Sequence, residues 1–233
     1  AENSALAIGG YEGISAYQAS SRLFVPLFRH QQRGPNGIRL DTAIVVANAG
    51  SEPEPVTVSY HPTTNASASA ACRAAGVIRH GPVTILPNAS HAFFQGPGGG
   101  HGLPDDCFGS AVVDAGSAAG ALVATVLDVQ NGNEQMSMIN ASPVEFAATK
   151  HALPLFRSRH LVAEYTTGIQ VMNTSGRPAN VHIDFSRSEG NVTFPITGCR
   201  GQCDAVIQPY EAYTWWPPAV DVMPPDTYGA AVI

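Results

Sequence analysis

Lysine is almost missing from this chain of 233 residues, with Lys150 its sole example. Charged residues of all kinds reach only 13%, against roughly 25% in ordinary soluble domains. The surface must be built from Gly, Ser, Ala, Thr and Pro instead, a composition that suits an extracellular β protein. The formal net charge of −6 excludes the dense cationic footprint that a phosphate backbone requires, so nucleic acid is not an expected partner. No apolar run of about 18 residues is present, and no membrane span is expected. No G-x-S-x-G, H-E-x-x-H or P-loop pattern occurs, and Gly98–Gly102 is not followed by Lys-Ser/Thr. The expectation is a protein that is not an enzyme and holds no cofactor. The chain begins Ala1-Glu2-Asn3 without a basic segment leading into an apolar one. That start is expected to be a mature end left by signal cleavage.

Cysteine is sparse as well. Two lie in the first half, Cys72 and Cys107, and two in the second, Cys199 and Cys203. Four cysteines allow three pairings, and keeping pairs within halves selects 72 with 107 and 199 with 203. Each disulfide would contribute about 2 to 4 kcal/mol and implies an oxidising compartment. A four-thiolate zinc site would need short C-x-x-C spacings, which are absent. The eight histidines, among them His80, His91 and His101, lack i, i+4 or H-x-H spacing. Asp128, Asn131, Asn133 and Glu134 lack the order of a calcium loop and read as a solvated linker. Asp105-Asp106 reads as turn chemistry. No metal is expected.

What the chain does have is an internal repeat. Leu23-Phe24-Val25-Pro26-Leu27-Phe28-Arg29 is matched by Ala152-Leu153-Pro154-Leu155-Phe156-Arg157, and Thr42–Asn48 by Thr167–Asn173. Val56-Thr57-Val58-Ser59-Tyr60 is matched by Val181-His182-Ile183-Asp184-Phe185, and its alternation is the period-2 mark of a strand. Ile85-Leu86-Pro87 with Phe93-Phe94 corresponds to Ile207-Gln208-Pro209 with Trp215-Trp216, and Phe108–Val113 to Tyr228–Ile233. A proline inside a strand removes a ladder donor, so the Pro26 and Pro154 segments are expected at an edge or as first strands. Short strands separated by Gly, Pro, Asn and Ser turns predict an all-β chain of two tandem antiparallel immunoglobulin-like β-sandwiches. Their expected bounds are 22–130 and 151–233, preceded by a segment 1–21 and joined by a connector 131–150.

The repeat is out of phase with the chain. After Phe108–Val113 comes a second apolar run, Ala121–Leu127, whereas nothing follows Tyr228–Ile233. Ahead of the first sandwich stands a spare apolar segment, Ala5-Leu6-Ala7-Ile8, followed by Gly9-Gly10. Residues 14–20 also echo 136–142, so what precedes the first sandwich resembles what precedes the second. The second sandwich is therefore expected to lack its last strand and to leave Tyr228, Gly229, Ala230, Ala231, Val232 and Ile233 as an unpaired acceptor groove. Exposed edges template pairing with another chain. Ala5–Ile8 is the expected donor strand, with Leu6 and Ile8 on one face and Ala5 and Ala7 on the other. Donor at one end and acceptor at the other give a head-to-tail homopolymer.

In this layout, and in its Pro-Leu-Phe, Asn-ended strand and Phe/Tyr-Gly-Ser/Ala-Ala-Val landmarks, the chain resembles immunoglobulin-like repeats of microbial surface and environmental extracellular fibrils, and fibre subunits joined by donor-strand complementation. The resemblance implies a non-catalytic structural polymer in which Ala5–Ile8 is donated and the second sandwich, including Gly229–Ile233, accepts. The chain departs from such proteins in having no LPxTG signal, and one lysine cannot supply a Lys-Asn isopeptide bond to both sandwiches. Five N-x-S/T sequons, at Asn65, Asn88, Asn140, Asn173 and Asn191, are candidate sites for covalent glycans. Asn173 is the weakest, because Asn48 holds the same corner without a sequon. The aromatic group Tyr210, Tyr213, Trp215 and Trp216 supports an alternative, a monomeric carbohydrate-binding or adhesive module, against the simpler role of core packing.

Overall fold

Alternation of apolar and polar residues drives this chain into strands, and most strand ends coincide with the Gly, Pro, Asn and Ser punctuation of the sequence. The computed structural model describes every residue except 1–13, 35–36, 100, 132–135, 163, 191 and 200. The fold is all-β with antiparallel sheets, and it divides into unit 1, Ala1–Phe146, and unit 2, Ala147–Ile233.

Unit 1 contains β1 (Arg22–His30), β2 (Gln32–Arg33), β3 (Arg39–Asn48), β4 (Glu54–Pro62), a short helix α1 (Ala70–Ala74), β5 (Ile78–Ile85), β6 (Ser90–Phe94), β7 (Cys107–Ala115), β8 (Leu122–Asn131), β9 (Met136–Asn140) and β10 (Ser142–Pro143). One sheet runs β10-β1-β7-β4-β5 and the other β2-β3-β8-β9, with β6 also on β3. Both sheets contribute to one core. Val25 and Phe28 of β1, Ile44 and Val46 of β3, Val56 and Val58 of β4, and Leu122 of β8 are all fully buried in it.

Unit 2 contains β11 (Ala152–Ser158), β12 (Ile169–Met172), β13 (Ala179–His182), β14 (Asp184–Glu189), β15 (Val192–Pro195), β16 (Asp204–Ile207), β17 (Ala212–Trp215) and β18 (Thr227–Val232). They form the sheet β11-β18-β14-β15 and two ribbons, β12-β17 and β13-β16. The repeat can be followed strand by strand. β11 stands for β1, β12 for β3, β13 with β14 for β4, β15 with β16 for β5, β17 for β6, and β18 for β7. Among the described residues of unit 2 nothing stands for β8 or β9.

Local details recur between the units. The β1–β7 ladder breaks register between Val25 and Phe28, and the β11–β18 ladder between Leu153 and Phe156. Each break spans the Pro-Leu pair, so proline's missing donor is absorbed by a bulge. Gly109 and Gly229 mark the closest approach of neighbouring strands. A Cβ would lie 2.1 Å from the His61 carbonyl oxygen at the first and 1.9 Å from that of Ser186 at the second. Asn48 and Asn173 close the same corner. Asn48 Nδ2 donates to the carbonyls of Glu52 and Ile85 (2.7 and 3.0 Å), and Asn173 Nδ2 to those of Arg177 and Ile207 (2.6 and 3.0 Å).

Two expectations need correction. The segment assigned to a connector, 131–150, is partly structure of unit 1, since β9 pairs with β8 and β10 with β1. The echo between 14–20 and 136–142 is not a shared conformation. Ala16–Gln18 is a 3-10 turn, and the matching turn is Val144–Phe146, 128 residues later. That is the offset of the Pro-Leu-Phe strands themselves, so each unit is entered through the same turn.

Candidate strand-acceptor cleft

β12 is held on one side only. Its four residues pair with β17, Ile169 opposite Trp215 and Met172 opposite Ala212, and among the described residues no strand pairs with the other side. In unit 1 that place is filled. β8 runs antiparallel along β3 for ten residue pairs, with Val46 opposite Ala124 and Asn48 opposite Leu122.

The vacancy is also one of side chains. Val46 and Val56, fully buried in unit 1, correspond to Val171 and Val181, which are only half-buried. Both border an open cleft of about 800 Å³, bounded elsewhere by Ile207, Val232, Ile233 and the segment Ala147–His151. Where unit 1 seats Leu122 and Ala124, unit 2 has this cleft.

The cleft's polar margin carries His182 and Asp184. His182 Nδ1 lies 2.7 Å from Asp204 and its Nε2 3.2 Å from Asp184. The hydrogen bond to Asp204 leads the effects that raise the His182 pKa above the ordinary histidine value, and Asp184 adds to it. Chemically the arrangement offers unpaired backbone groups beside half-buried aliphatic side chains. Those are the requirements for adding an extended segment to a sheet.

Other expected site residues fall as follows. The donor segment Ala5, Leu6, Ala7 and Ile8 lies outside the described residues. Tyr228–Ile233 is not an unpaired edge. β18 is hydrogen-bonded to β11 on one side and β14 on the other, and Ile233 exchanges two backbone bonds with His151. Only Val232 and Ile233 touch the cleft. The error has a topological cause: β7 and β8 are consecutive but lie in different sheets, so losing a β8 leaves the counterpart of β3 open and spares the counterpart of β7. The residues that sequence reasoning missed are therefore Ile169–Met172. The signal was the match of 42–48 to 167–173, read together with the fact that a strand following β7 can cross over to the opposite sheet.

Cys72 pairs with Cys107 and Cys199 with Cys203, at Cα separations of 5.1 and 5.7 Å. Asn65, Asn88 and Asn140 are exposed, Asn173 is buried and engaged in its corner, and Asn191 is outside the described residues. The two tryptophans of the aromatic group face different ways. Trp215 is buried, stacks edge-on with Tyr213 and donates from Nε1 to the Gln202 carbonyl, while Trp216 faces outward. Phe93 and Phe94 divide in the same way, one in and one out. Asp106 binds the backbone N–H of Arg33 from a turn, and Asp128 pairs with Arg29. Among the described residues no three His, Cys, Asp or Glu side chains are placed to hold a metal ion. No helix among them is long and apolar enough to cross a membrane.

Comparison with known proteins adds little. No family model and no curated protein matches the chain. One solved structure, Thermotoga maritima 1070, is similar at 13% identity and a TM-score of 0.38, over 53% of this chain and 93% of that one. At that score the likeness carries no argument.

Proposed function

We propose that this protein is a structural, non-catalytic subunit of an extracellular filament, made of two immunoglobulin-like β-sandwiches and assembled head to tail. Each subunit gives its N-terminal apolar segment, Ala5–Ile8, to the incomplete unit 2 of its neighbour. The observation that carries this reading is that no counterpart of β8 exists among the described residues of unit 2, where Val171 and Val181 stay half-buried beside a strand edge with no partner there. Burying Leu6 and Ile8 would contribute about 1.5 to 3 kcal/mol each, and each new ladder hydrogen bond about 0.5 to 1.5 kcal/mol. A contact of different surfaces on the two partners propagates unless it closes into a ring.

Both cysteine pairs, the low charge and the exposed sequons at Asn65, Asn88 and Asn140 support secretion and a surface that carries glycans. The experiment is electron microscopy with sedimentation across a concentration series, on the full chain and on a chain lacking residues 1–10. Filaments from the first and folded monomers from the second are expected. Equal assembly by both would overturn the reading.

A further inference from the structure

Which edge receives the strand, and in what register, follows from overlaying the two units. We infer that Ala5–Ile8 of a second copy seats antiparallel on β12, Ala5 opposite Met172, Leu6 opposite Val171, Ala7 opposite Gln170 and Ile8 opposite Ile169. The inference rests on the strand-exchange reading above and names its site.

Three observations fix the occupant. First, β12 presents four residues, the length of the apolar segment before Gly9. Second, the inward positions on β8 are the alternate residues Leu122, Ala124 and Val126, all buried. In the stated register Leu6 takes the place of Ala124, beside Val171 at the cleft, and Ile8 that of Val126, beside the cleft and opposite buried Ile169, so the larger side chains point inward and the two alanines outward. Third, each unit is entered through the same 3-10 turn, and the strands before the second turn, β8 and β9, belong to the preceding unit and not to the one that follows. By the same rule the segment before Ala16 belongs with a unit other than unit 1, and the open side of β12 on a second copy is the place the described residues offer it.

β11, β13, β15, β16 and β17 also pair on one side only among the described residues, and β15, which pairs with β14 alone, is the one exposed along its whole length. It lies in the sheet of β18, however, and neither Val192 nor Phe194 borders the cleft. A strand added there would leave Val171 and Val181 uncovered.

The test is oxidative cross-linking of full chains carrying two added cysteines, Ala7→Cys with Gln170→Cys, or Ala7→Cys with Thr193→Cys as the competing pair. Each single variant is first checked for folding and assembly. A ladder of covalent oligomers from the Gln170 pair, several-fold above the Thr193 pair, is expected. A ladder from the Thr193 pair alone would overturn the edge assignment while leaving filament assembly standing. A cross-link confined to the monomer band would show the segment seated on its own unit 2 and overturn the second copy as donor. Absence of any assembly by the unmodified protein would remove the strand-exchange reading itself, whatever the cross-links show.

Discussion

Replacing Asn173 by alanine isolates the corner that both units share. The amide nitrogen donates to the carbonyls of Arg177 and Ile207, and the amide oxygen accepts from Ser175 N–H at 3.0 Å and its hydroxyl at 2.8 Å. Alanine removes all of these and leaves the Ile207 carbonyl, at the buried end of β16, without its side-chain donor. Exposed Ser175 can replace its two bonds with water; the two that Nδ2 donates, at about 1 kcal/mol each, plus part of the penalty for an unpaired buried group, come to about 2 to 4 kcal/mol. Both tryptophans of the chain lie in unit 2, Trp215 buried in its core, so tryptophan fluorescence follows that unit's unfolding in urea. With a slope on the order of 1 to 2 kcal/mol per molar for a unit of this size, the midpoint should fall by at least about 1 M. Asn48→Ala, which breaks the equivalent corner of unit 1, should leave the tryptophan transition nearly in place while lowering the stability seen by far-ultraviolet circular dichroism. An Asn173→Ala shift worth less than about 0.5 kcal/mol, below the usual worth of a single such bond, would refute the role given to the corner.

Further outcomes can be checked alongside. Gly229→Ala forces a Cβ into the Ser186 carbonyl and must part β18 from β14; a loss of about 1 to 3 kcal/mol or more, read in the same titration, is expected. Replacing Cys72 and Cys107 by alanine opens a 35-residue separation and should cost about 4 kcal/mol, whereas opening the four-residue separation of Cys199 and Cys203 should cost about 2 kcal/mol; equal losses in thermal melting would count against chain entropy as the cause. The His101 ring lies 3.9 Å from that of His80, tilted at 43°, and burial, reinforced by that neighbour, holds its pKa down at about 4. An unfolded histidine binds its proton near pH 6.5, so the stability owed to neutral His101 is complete above that value and drains away as pH falls toward 4. His101→Phe should flatten this acid limb in melting temperatures measured between pH 7 and 4. In folded secreted material, peptide mass mapping should find Asn173 unmodified, since a glycan there is incompatible with its buried bonds.

Much of the architecture was legible because its signals are local. Val56 to Tyr60 and its partner Val181 to Phe185 alternate as half-buried strands do, and the paired positions Phe93/Phe94 and Trp215/Trp216 divide between core and surface as a shared scaffold requires. What stayed hidden depends on which strands become neighbours. Nothing in Phe108–Leu127 says whether two successive apolar runs fold back as a hairpin or cross to the facing sheet; the crossing moved the vacancy from β18 to β12. The His182–Asp204 contact was equally invisible, because it joins β13 to β16 across a register that only the folded ribbon defines. The 3-10 turns escaped notice because Ala16-Tyr17-Gln18 and Val144-Glu145-Phe146 share geometry without sharing residue types.

The crossing between β7 and β8 has a consequence for engineering. Because β8 reaches the sheet opposite β7 through only the short span Gly116–Ala121, and Ile233 matches Val113, a graft of residues 114–131 onto Ile233 is expected to supply unit 2 with a cap of its own. If strand exchange operates as proposed, such a chain, capped in cis, would be a self-sufficient monomer, deaf to the free N-termini around it and usable as a terminator that sets filament length by its molar ratio.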